Sequence, residues 1–290
     1  MTLSSHFGTG KCALSYELFP PKTPAGDAAL AANLEKLMAY RPDFVTCTYG
    51  AGGSTQTKTL DVCRSVKQQF DVPVASHLTV VGSTTGDLES YLREAWDAGV
   101  EYLVALRGDP PQGETTFQPV AGGLRFANEL VELIRSLDMP FGIAVAGYPE
   151  VHQEATSPDA DLANLKRKVD AGADIVITQL FYINDDFFRF RDRCVDAGIN
   201  VPIVPGILPV TDLGQIQRIT KLCKAQLPES FVKRLGERDD SQWQAEVGIE
   251  FATQQVQELL AAEVPGLHLY VLNKSQAALQ VLQGVNWPRG

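Results

Sequence analysis

Apolar residues in this chain collect in short runs, and stretches with helical periodicity separate them. One punctuation joins the two patterns three times. Asp97-Ala98-Gly99, Asp170-Ala171-Gly172 and Asp196-Ala197-Gly198 each close a helical stretch and lead into an apolar run, at 102–106, 175–179 and 201–205. A glycine just past a helix takes the left-handed cap conformation, and a buried strand can follow directly. Repeated helix–glycine–strand units imply parallel strands joined by crossover helices. Along the whole chain the pattern predicts strands at 13–19, 43–49, 72–79, 102–108, 141–148, 174–181, 201–207 and 267–273. It predicts helices at 27–39, 55–70, 85–98, 124–137, 159–171, 185–197, 213–224 and 242–263, with Thr55, Ser157 and Thr211 as N-caps. Eight such units in 290 residues predict an α/β fold, a (β/α)8 TIM barrel in a single domain over 1–290. An open doubly wound sheet is the alternative. The polar stretch 228–240 reads as an insertion before the last helix.

A parallel barrel places its chemistry at the C-terminal ends of its strands. On the first strand Ala13, Ser15 and Glu17 share one face and Leu14, Tyr16 and Leu18 the other. The apolar face belongs against the helices, so Glu17 points into the barrel near its rim. A carboxyl there is partly desolvated and suits general-acid work; pairing with an arginine across the rim is the other reading. The second strand ends at Thr48-Tyr49, and Gly50-Ala51-Gly52-Gly53-Ser54-Thr55 follows, either an anion cradle at a helix N-terminus or a plain flexible loop. The third strand places Ala75, His77 and Thr79 on one face, and the ordinary role for such a histidine is a hydrogen-bonded core residue. The fourth ends Leu106-Arg107-Gly108-Asp109-Pro110-Pro111, a rigid site edge, and the fifth ends Gly147-Tyr148-Pro149-Glu150-Val151-His152. Asp161, Asn164 and Lys168 then form one helical stripe bordered by Arg167. It is either a solvated charged face or a polar stripe that holds a ribose and a diphosphate. The sixth strand ends in Gln179 and the eighth in Asn273-Lys274. Polar groups at seven strand ends predict a pocket at the C-terminal mouth.

Composition narrows the ligand. The chain is 44% apolar, too rich for disorder, and carries 35 acidic against 25 basic residues, net −10. A nucleic-acid backbone would be repelled by most of this surface, so no nucleic-acid partner is expected. No apolar run approaches the roughly 18 residues of a membrane span, and the polar residues 1–11 do not read as a signal peptide, so a cytoplasmic protein away from membranes is expected. Five scattered cysteines without CxxC spacing predict reduced thiols. Four histidines without ligand spacing predict no metal site.

In chain order the motifs are Tyr16-Glu17-Leu18-Phe19-Pro20-Pro21, Thr48-Tyr49-Gly50-Ala51, Ser76-His77-Leu78-Thr79, Leu106-Arg107-Gly108-Asp109, Tyr148-Pro149-Glu150-Val151-His152, Asn164-Leu165-Lys166-Arg167-Lys168, Ile177-Thr178-Gln179, Pro205-Gly206-Ile207-Leu208-Pro209 and Leu272-Asn273. This ordered set resembles the methylenetetrahydrofolate reductase family in its short bacterial-type, FAD-dependent form. The resemblance implies FAD across the barrel mouth, reduced by NADH or NADPH, and hydride passed on to 5,10-methylenetetrahydrofolate to give 5-methyltetrahydrofolate for methionine synthesis. It makes Glu17 the acid on the folate N10 side. It sets Asp109 beside flavin and pterin, where a fixed negative charge strengthens the reduced flavin as a donor. Flavin contacts would fall on Tyr49, Ala51, His77, Arg107, Gly108, Asp109, Phe126, Ala127, Tyr148, His152, Asp161, Asn164, Arg167 and Lys168. Thr48 would meet the nicotinamide cofactor, and Gln179 and Gln215 the folate. Lys274 stands where several members have arginine at the folate site, so a planar two-point fork becomes a point charge. Related short forms are homo-oligomers, and the chain stops soon after the barrel, so no C-terminal regulatory region is expected. Two other functions fit the same motifs less fully: a barrel that passes hydride without flavin, and a folate-binding barrel without redox chemistry.

Overall fold

The computed structural model describes residues 2–8, 10–49, 56–110, 113 and 116–287. Its strands are β1 (Ala13–Leu18), β2 (Phe44–Cys47), β3 (Val74–Thr79), β4 (Tyr102–Leu106), β5 (Gly142–Gly147), β6 (Ile175–Thr178), β7 (Ile203–Val204), β8 (Gly206–Ile207) and β9 (Gly266–Tyr270). All pair in parallel within one sheet, in the order β7-β6-β5-β4-β3-β2-β1-β9-β8. β7 and β8 are two halves of one stave. Pro205 between them has no N–H for the ladder. β7 therefore bonds to β6 and β8 to β9, and the Pro205 carbonyl accepts the His268 N–H at 3.0 Å. The sheet closes into the predicted eight-staved barrel, with the predicted seventh strand split at its second proline.

The helices are α1 (Pro24–Met38), α2 (Gln56–Phe70), α3 (Thr85–Asp97), α4 (Ala127–Ser136), α5 (Pro158–Asp170), α6 (Asn184–Asp196), α7 (Leu213–Cys223), α8 (Glu229–Leu235), α9 (Ser241–Ala261) and α10 (Gln276–Gly284). Gly99, Gly172 and Gly198 end α3, α5 and α6 with φ of +83°, +118° and +73°. In each case the glycine N–H bonds back three residues and the next N–H bonds back five, as in Val100 to Ala95, Ala173 to Lys168 and Ile199 to Cys194. That is the Schellman arrangement, and it satisfies carbonyls the helix end would otherwise leave open.

Several boundaries differ from the sequence expectation. Ser157 caps α5 by accepting the Ala160 N–H at 3.1 Å. Thr55 lies outside the described residues. Asp212, not Thr211, caps α7, its carboxylate accepting the Gln215 N–H. The polar stretch 228–240 is no simple insertion: it contains α8, whose Phe231 and Leu235 are buried against Ile216 and Val247. α10, which the periodicity did not predict, follows the last strand and completes the eighth unit.

The alternation on β1 holds. Leu14, Tyr16 and Leu18 join the large core between strands and helices. The barrel interior holds a smaller apolar cluster that includes Phe44, Tyr102, Val104, Ile175 and Ile177. Leu3, on a 3-10 turn at Leu3–His6, joins it and plugs the N-terminal end. His6 Nε2 meets the Tyr102 hydroxyl at 2.8 Å beside it. Gly142 is required there, because a Cβ would lie 2.5 Å from the Leu3 Cβ. With the floor filled, the barrel is open to a ligand at the strand C-termini.

On the outside, Gly248 seats α9 against the chain entering α7. A Cβ at 248 would fall 1.9 Å from the Val210 carbonyl oxygen. Gly248→Ala should destabilise the fold by about 2 kcal/mol through overpacking, read as a lower urea midpoint with unchanged slope. An unchanged midpoint would show that α9 is not pressed onto residue 210.

Candidate active site

Two clefts meet at the C-terminal mouth. The inner one, of about 280 Å³, is lined by Glu17 of β1, His77 of β3, Val104 and Leu106 of β4, Ile177 of β6, and His268 and Tyr270 of β9, with Arg107, Gly108, Asp109, Tyr148, His152 and Gln179 at its rim. Glu17 is only 8% exposed. Its Oε2 lies 3.4 Å from His77 Nε2 and 3.9 Å from His268 Nε2. The groups facing the carboxyl are thus imidazoles, and among the described residues no arginine pairs with it. His77 also meets Thr46 Oγ1 at 3.3 Å, and burial holds its pKa below the usual imidazole value despite the pull of Glu17. Burial likewise drives the Tyr270 hydroxyl well above the usual phenol range, with Glu17 adding to it.

Gly108 makes the rim possible. Its φ is +88°, and a Cβ would sit 2.9 Å from Val81 Cγ2 and 3.0 Å from Thr79 Cβ. The chain turns there so that Arg107 and Asp109 flank the opening, with Asp109 exposed.

The outer cleft, of about 430 Å³, runs from Arg107 across Phe126, Ala127, Tyr148 and His152 to Asp161, Asn164, Arg167 and Lys168 on α5. Arg107 and Glu154 form a two-point pair at 2.5 and 2.7 Å. Through it Glu154 raises the guanidinium pKa and has its own carboxyl pKa lowered. The Tyr148 and His152 rings meet edge to face, centroids 4.6 Å apart. The His152 N–H donates to Asp161 at 3.0 Å, and His152 Nδ1 accepts the Glu154 N–H at 3.2 Å, so a neutral His152 carries its proton on Nε2. Arg167 donates to Asn164 Oδ1 at 2.5 Å. Lys168 reaches inward, donates to the Ala146 carbonyl at 2.5 Å and lies 6.0 Å over the Tyr148 ring. Burial pushes its pKa down to about 8, with Asp161 opposing.

The structure therefore brings together Glu17, His77, Arg107, Gly108, Asp109, Tyr148, His152 and Gln179 in one cleft. It brings Arg107, Phe126, Ala127, Tyr148, His152, Asp161, Asn164, Arg167 and Lys168 together in the other. Gln215 and Lys274 line a separate small depression that shares Tyr270 with the inner cleft. Thr48 sits just past β2, its carbonyl accepting the Thr59 hydroxyl at 2.9 Å. Tyr49 turns away from both clefts, edge-on to Tyr91 at 5.4 Å, and its hydroxyl accepts from Gln56. Ala51 and the rest of Gly50–Thr55 lie outside the described residues.

The family model for methylenetetrahydrofolate reductase matches residues 2–286. The chain belongs to the methylenetetrahydrofolate reductase family. It is 39% identical over 287 residues to "Methylenetetrahydrofolate reductase (NADH) 1" of Arabidopsis thaliana, covering 95% of this chain and 48% of that one. The chain spans about half the length of the plant relatives it matches. It is 37% identical to "5,10-methylenetetrahydrofolate reductase" of Escherichia coli, covering 94% of this chain and 90% of the relative. Among solved structures, a protein from Clostridium thermocellum described as binding 5-methyl-5,6,7,8-tetrahydrofolic acid superposes with a TM-score of 0.61 at 12% identity, covering 95% of this chain and 94% of that one. That likeness concerns the barrel fold alone.

Among the side chains of this reductase-family site that escaped sequence reasoning are Glu154, His268 and Tyr270. Alternation along 267–273 puts His268 and Tyr270 opposite Leu267 and Leu269, the one signal available for them. Glu154 gave none, because its partner lies 47 residues away.

Lys168 yields a test that needs no substrate. With its folded pKa near 8 and an unfolded value near 10.5, the unfolded chain binds more protons between those limits. The cost of the buried charge is full below pH 8 and gone once pH passes the unfolded value. Lys168→Met should stabilise the protein without ligands by about 1–3 kcal/mol at pH 7, with the gain vanishing near pH 10.5. Urea titrations across that range check it, and a gain independent of pH would assign the effect to packing.

Proposed function

We propose that this chain reduces 5,10-methylenetetrahydrofolate to 5-methyltetrahydrofolate, using FAD and a nicotinamide reductant in a two-stage exchange at one mouth. The observation that carries the proposal is the pair of clefts sharing Arg107, Tyr148 and His152, with a buried carboxyl in one and a half-buried amine in the other. The names of the relatives agree, and those of the plant relatives specify NADH.

The outer cleft fits FAD on the chemistry of its donors. Lys168 is a cation held inside by one carbonyl, and a diphosphate would restore the charge that burial disfavours. Arg167 and Asn164 lie on the same helix stripe, and Asp161 stands at its first turn for a ribose hydroxyl. Phe126, Ala127, Tyr148 and His152 give apolar and ring surfaces for a flat heterocycle. Bound FAD would supply a two-electron carrier that can accept hydride from one partner and release it to another.

The chain's own residues supply the rest. Glu17, held in the inner cleft, carries a proton toward the folate nitrogen whose protonation opens the one-carbon bridge. Gln179 and Asp109 orient the pterin at the rim, and Thr48 meets the nicotinamide in its turn. Lys274 and Gln215 extend the folate site past Tyr270 into the neighbouring depression. Lys274 offers one charge there and no planar fork, so it anchors a carboxylate without fixing its plane. The half-buried cation of the outer cleft favours the flavin-dependent course over direct hydride transfer, which would leave Lys168 without a use.

Purified protein supplied with FAD should show oxidised-flavin absorbance, bleached by NADH. Glu17→Gln should leave that bleaching intact in stopped flow while slowing the folate half-reaction by roughly a hundredfold or more. Equal loss in both half-reactions would remove Glu17 from the acid role. Colourless protein that still turns over would sink the flavin proposal.

A further inference from the structure

Glu150 stands in the loop after β5, between Tyr148 and His152 of the wall that the two clefts share, and is not among the residues lining either cleft. Its carboxyl reaches the segment after α7, where Oε2 accepts the Gln226 N–H at 2.8 Å, 76 residues along the chain. Oε1 is sealed from solvent and, among the described residues, has no hydrogen-bond partner. A carboxylate there would set a full negative charge against one neutral N–H. A carboxylic acid with its proton on Oε1 would leave only a neutral hydroxyl unmatched, a much smaller cost. The groups that face it make ionisation no easier. From α6 comes Asp186, an acid already matched by Arg189. From α7 comes Cys223, whose thiol pKa burial raises and Glu150 raises further. Among the described residues no cation offsets them. Burial, with Asp186 adding to it, lifts the Glu150 carboxyl from the ordinary 4.5 to about 7 against the pull of the Gln226 N–H.

The next residue is strained. Val151 has φ of +77°, which persists only where the surroundings impose it, and the bond from Glu150 to Gln226 is one such anchor. We infer that Glu150 is a positioning residue that docks the shared wall only in its protonated form: as the acid it bonds Gln226 and holds Tyr148 and His152 beside the outer cleft, and as the carboxylate it turns to water and lets the loop go. The flavin-holding part of this role rests on the function proposed above; the docking itself does not. Ionisation sends one proton from Oε1 to solvent. Release then exposes the Gln226 N–H to water and lets Val151 leave its positive φ, with the His152 N–H still tied to Asp161 at 3.0 Å. Because the docked pKa lies above that of the free side chain, docking has its full strength below pH 4.5, weakens as pH rises, and loses no more once pH passes about 7. α7, which precedes Gln226, carries Gln215 of the neighbouring depression, so the same bond ties the shared wall to that region.

Carbon-13 NMR of the Glu150 carboxyl, in the protein without ligands, should show a midpoint near 7. A midpoint near 4.5 would mean that Oε1 has a donor, and would overturn the inference. Exchange of the Gln226 amide hydrogen with water, corrected for base catalysis, should rise about tenfold from pH 6 to pH 8, the ratio that the two pKa values impose on opening. In Glu150→Gln, which keeps the acceptor and cannot ionise, exchange should stay level over that range. In Glu150→Ala, which keeps neither, it should be fast at both ends. A level profile in the unsubstituted protein, or an equal rise in Glu150→Gln, would overturn the docking. Release of bound FAD, followed by flavin fluorescence, should quicken by about the same factor over this range beyond any change in Glu150→Gln, a variant that retains Lys168 and so carries whatever that amine contributes. Parallel release profiles in the two proteins would overturn the positioning role. If the protein held no FAD, the proposed function would fall together with the flavin part of this role, while the carboxyl and amide measurements would still decide the docking.

Discussion

The barrel closes at a stave that cannot supply a complete ladder, and the inner cleft is built on that seam. Pro205 has no N–H to donate, so side chains complete what the backbone leaves open. Thr178 at the end of β6 accepts the Gly206 N–H on its hydroxyl at 2.9 Å and the Tyr270 hydroxyl on its carbonyl at 2.7 Å. The Pro205 carbonyl takes the His268 N–H at 3.0 Å. Gly206 allows this approach, since a Cβ there would lie 2.3 Å from the Thr178 carbonyl and 2.7 Å from the Tyr270 ring. His268 and Tyr270, the two β9 side chains that face Glu17, are therefore fixed by the same contacts that close the sheet. Sheet closure and site geometry are one constraint here.

The second organising feature is how charge is divided across the shared wall. The chain is net negative, yet the outer cleft gathers Arg107, Arg167 and Lys168. Arg107 is matched by Glu154 in a two-point pair, which makes it a rigid partition more than an open anion receptor. Among the described residues Lys168 has no such two-point match, and desolvation lowers its pKa against the pull of Asp161, so the electrostatic demand of the mouth sits on its α5 side. Across the wall the titratable groups are Glu17, Asp109, the imidazoles of His77 and His268, and the Tyr270 phenol. An acidic cleft beside a cationic one suits two ligands that meet edge to edge.

What the sequence made legible follows from which forces are local. The Asp-Ala-Gly caps were readable because a left-handed residue after a helix favours glycine, and all three glycines have positive φ. The inward face of Glu17 was readable because strand alternation is strict. α8 was hidden because its two buried anchors, Phe231 and Leu235, stand in an otherwise polar stretch. The break at Pro205 and the role of Leu3 as a floor plug depend on packing between distant segments, which no window of sequence contains. The same holds for Glu154 and for the contact of His268 with Ser15, 253 residues apart. Tyr49 shows the converse: its place in the motif points to the site, while its ring packs among the helices against Tyr91.

The loop after β5 shows how strain is made useful. Val151 has φ of +77°, a conformation that β-branched residues avoid and that costs on the order of 1–3 kcal/mol. The turn sends its two neighbours in different directions. Glu150 accepts the Gln226 N–H at 2.8 Å, tying the loop to the segment after α7, while His152 folds back onto the Tyr148 ring. On the far side the His152 N–H is held by Asp161 at 3.0 Å, and Asp161 stands in the first turn of α5, where the helix dipole favours a carboxylate. A relaxed turn would release one of these two anchorages. Because both persist, the Tyr148–His152 pair stays fixed between the clefts, and the energy stored at Val151 is balanced by hydrogen bonds on either side of it. A wall shared by two binding sites has to be stiff, since any movement that widened one would narrow the other.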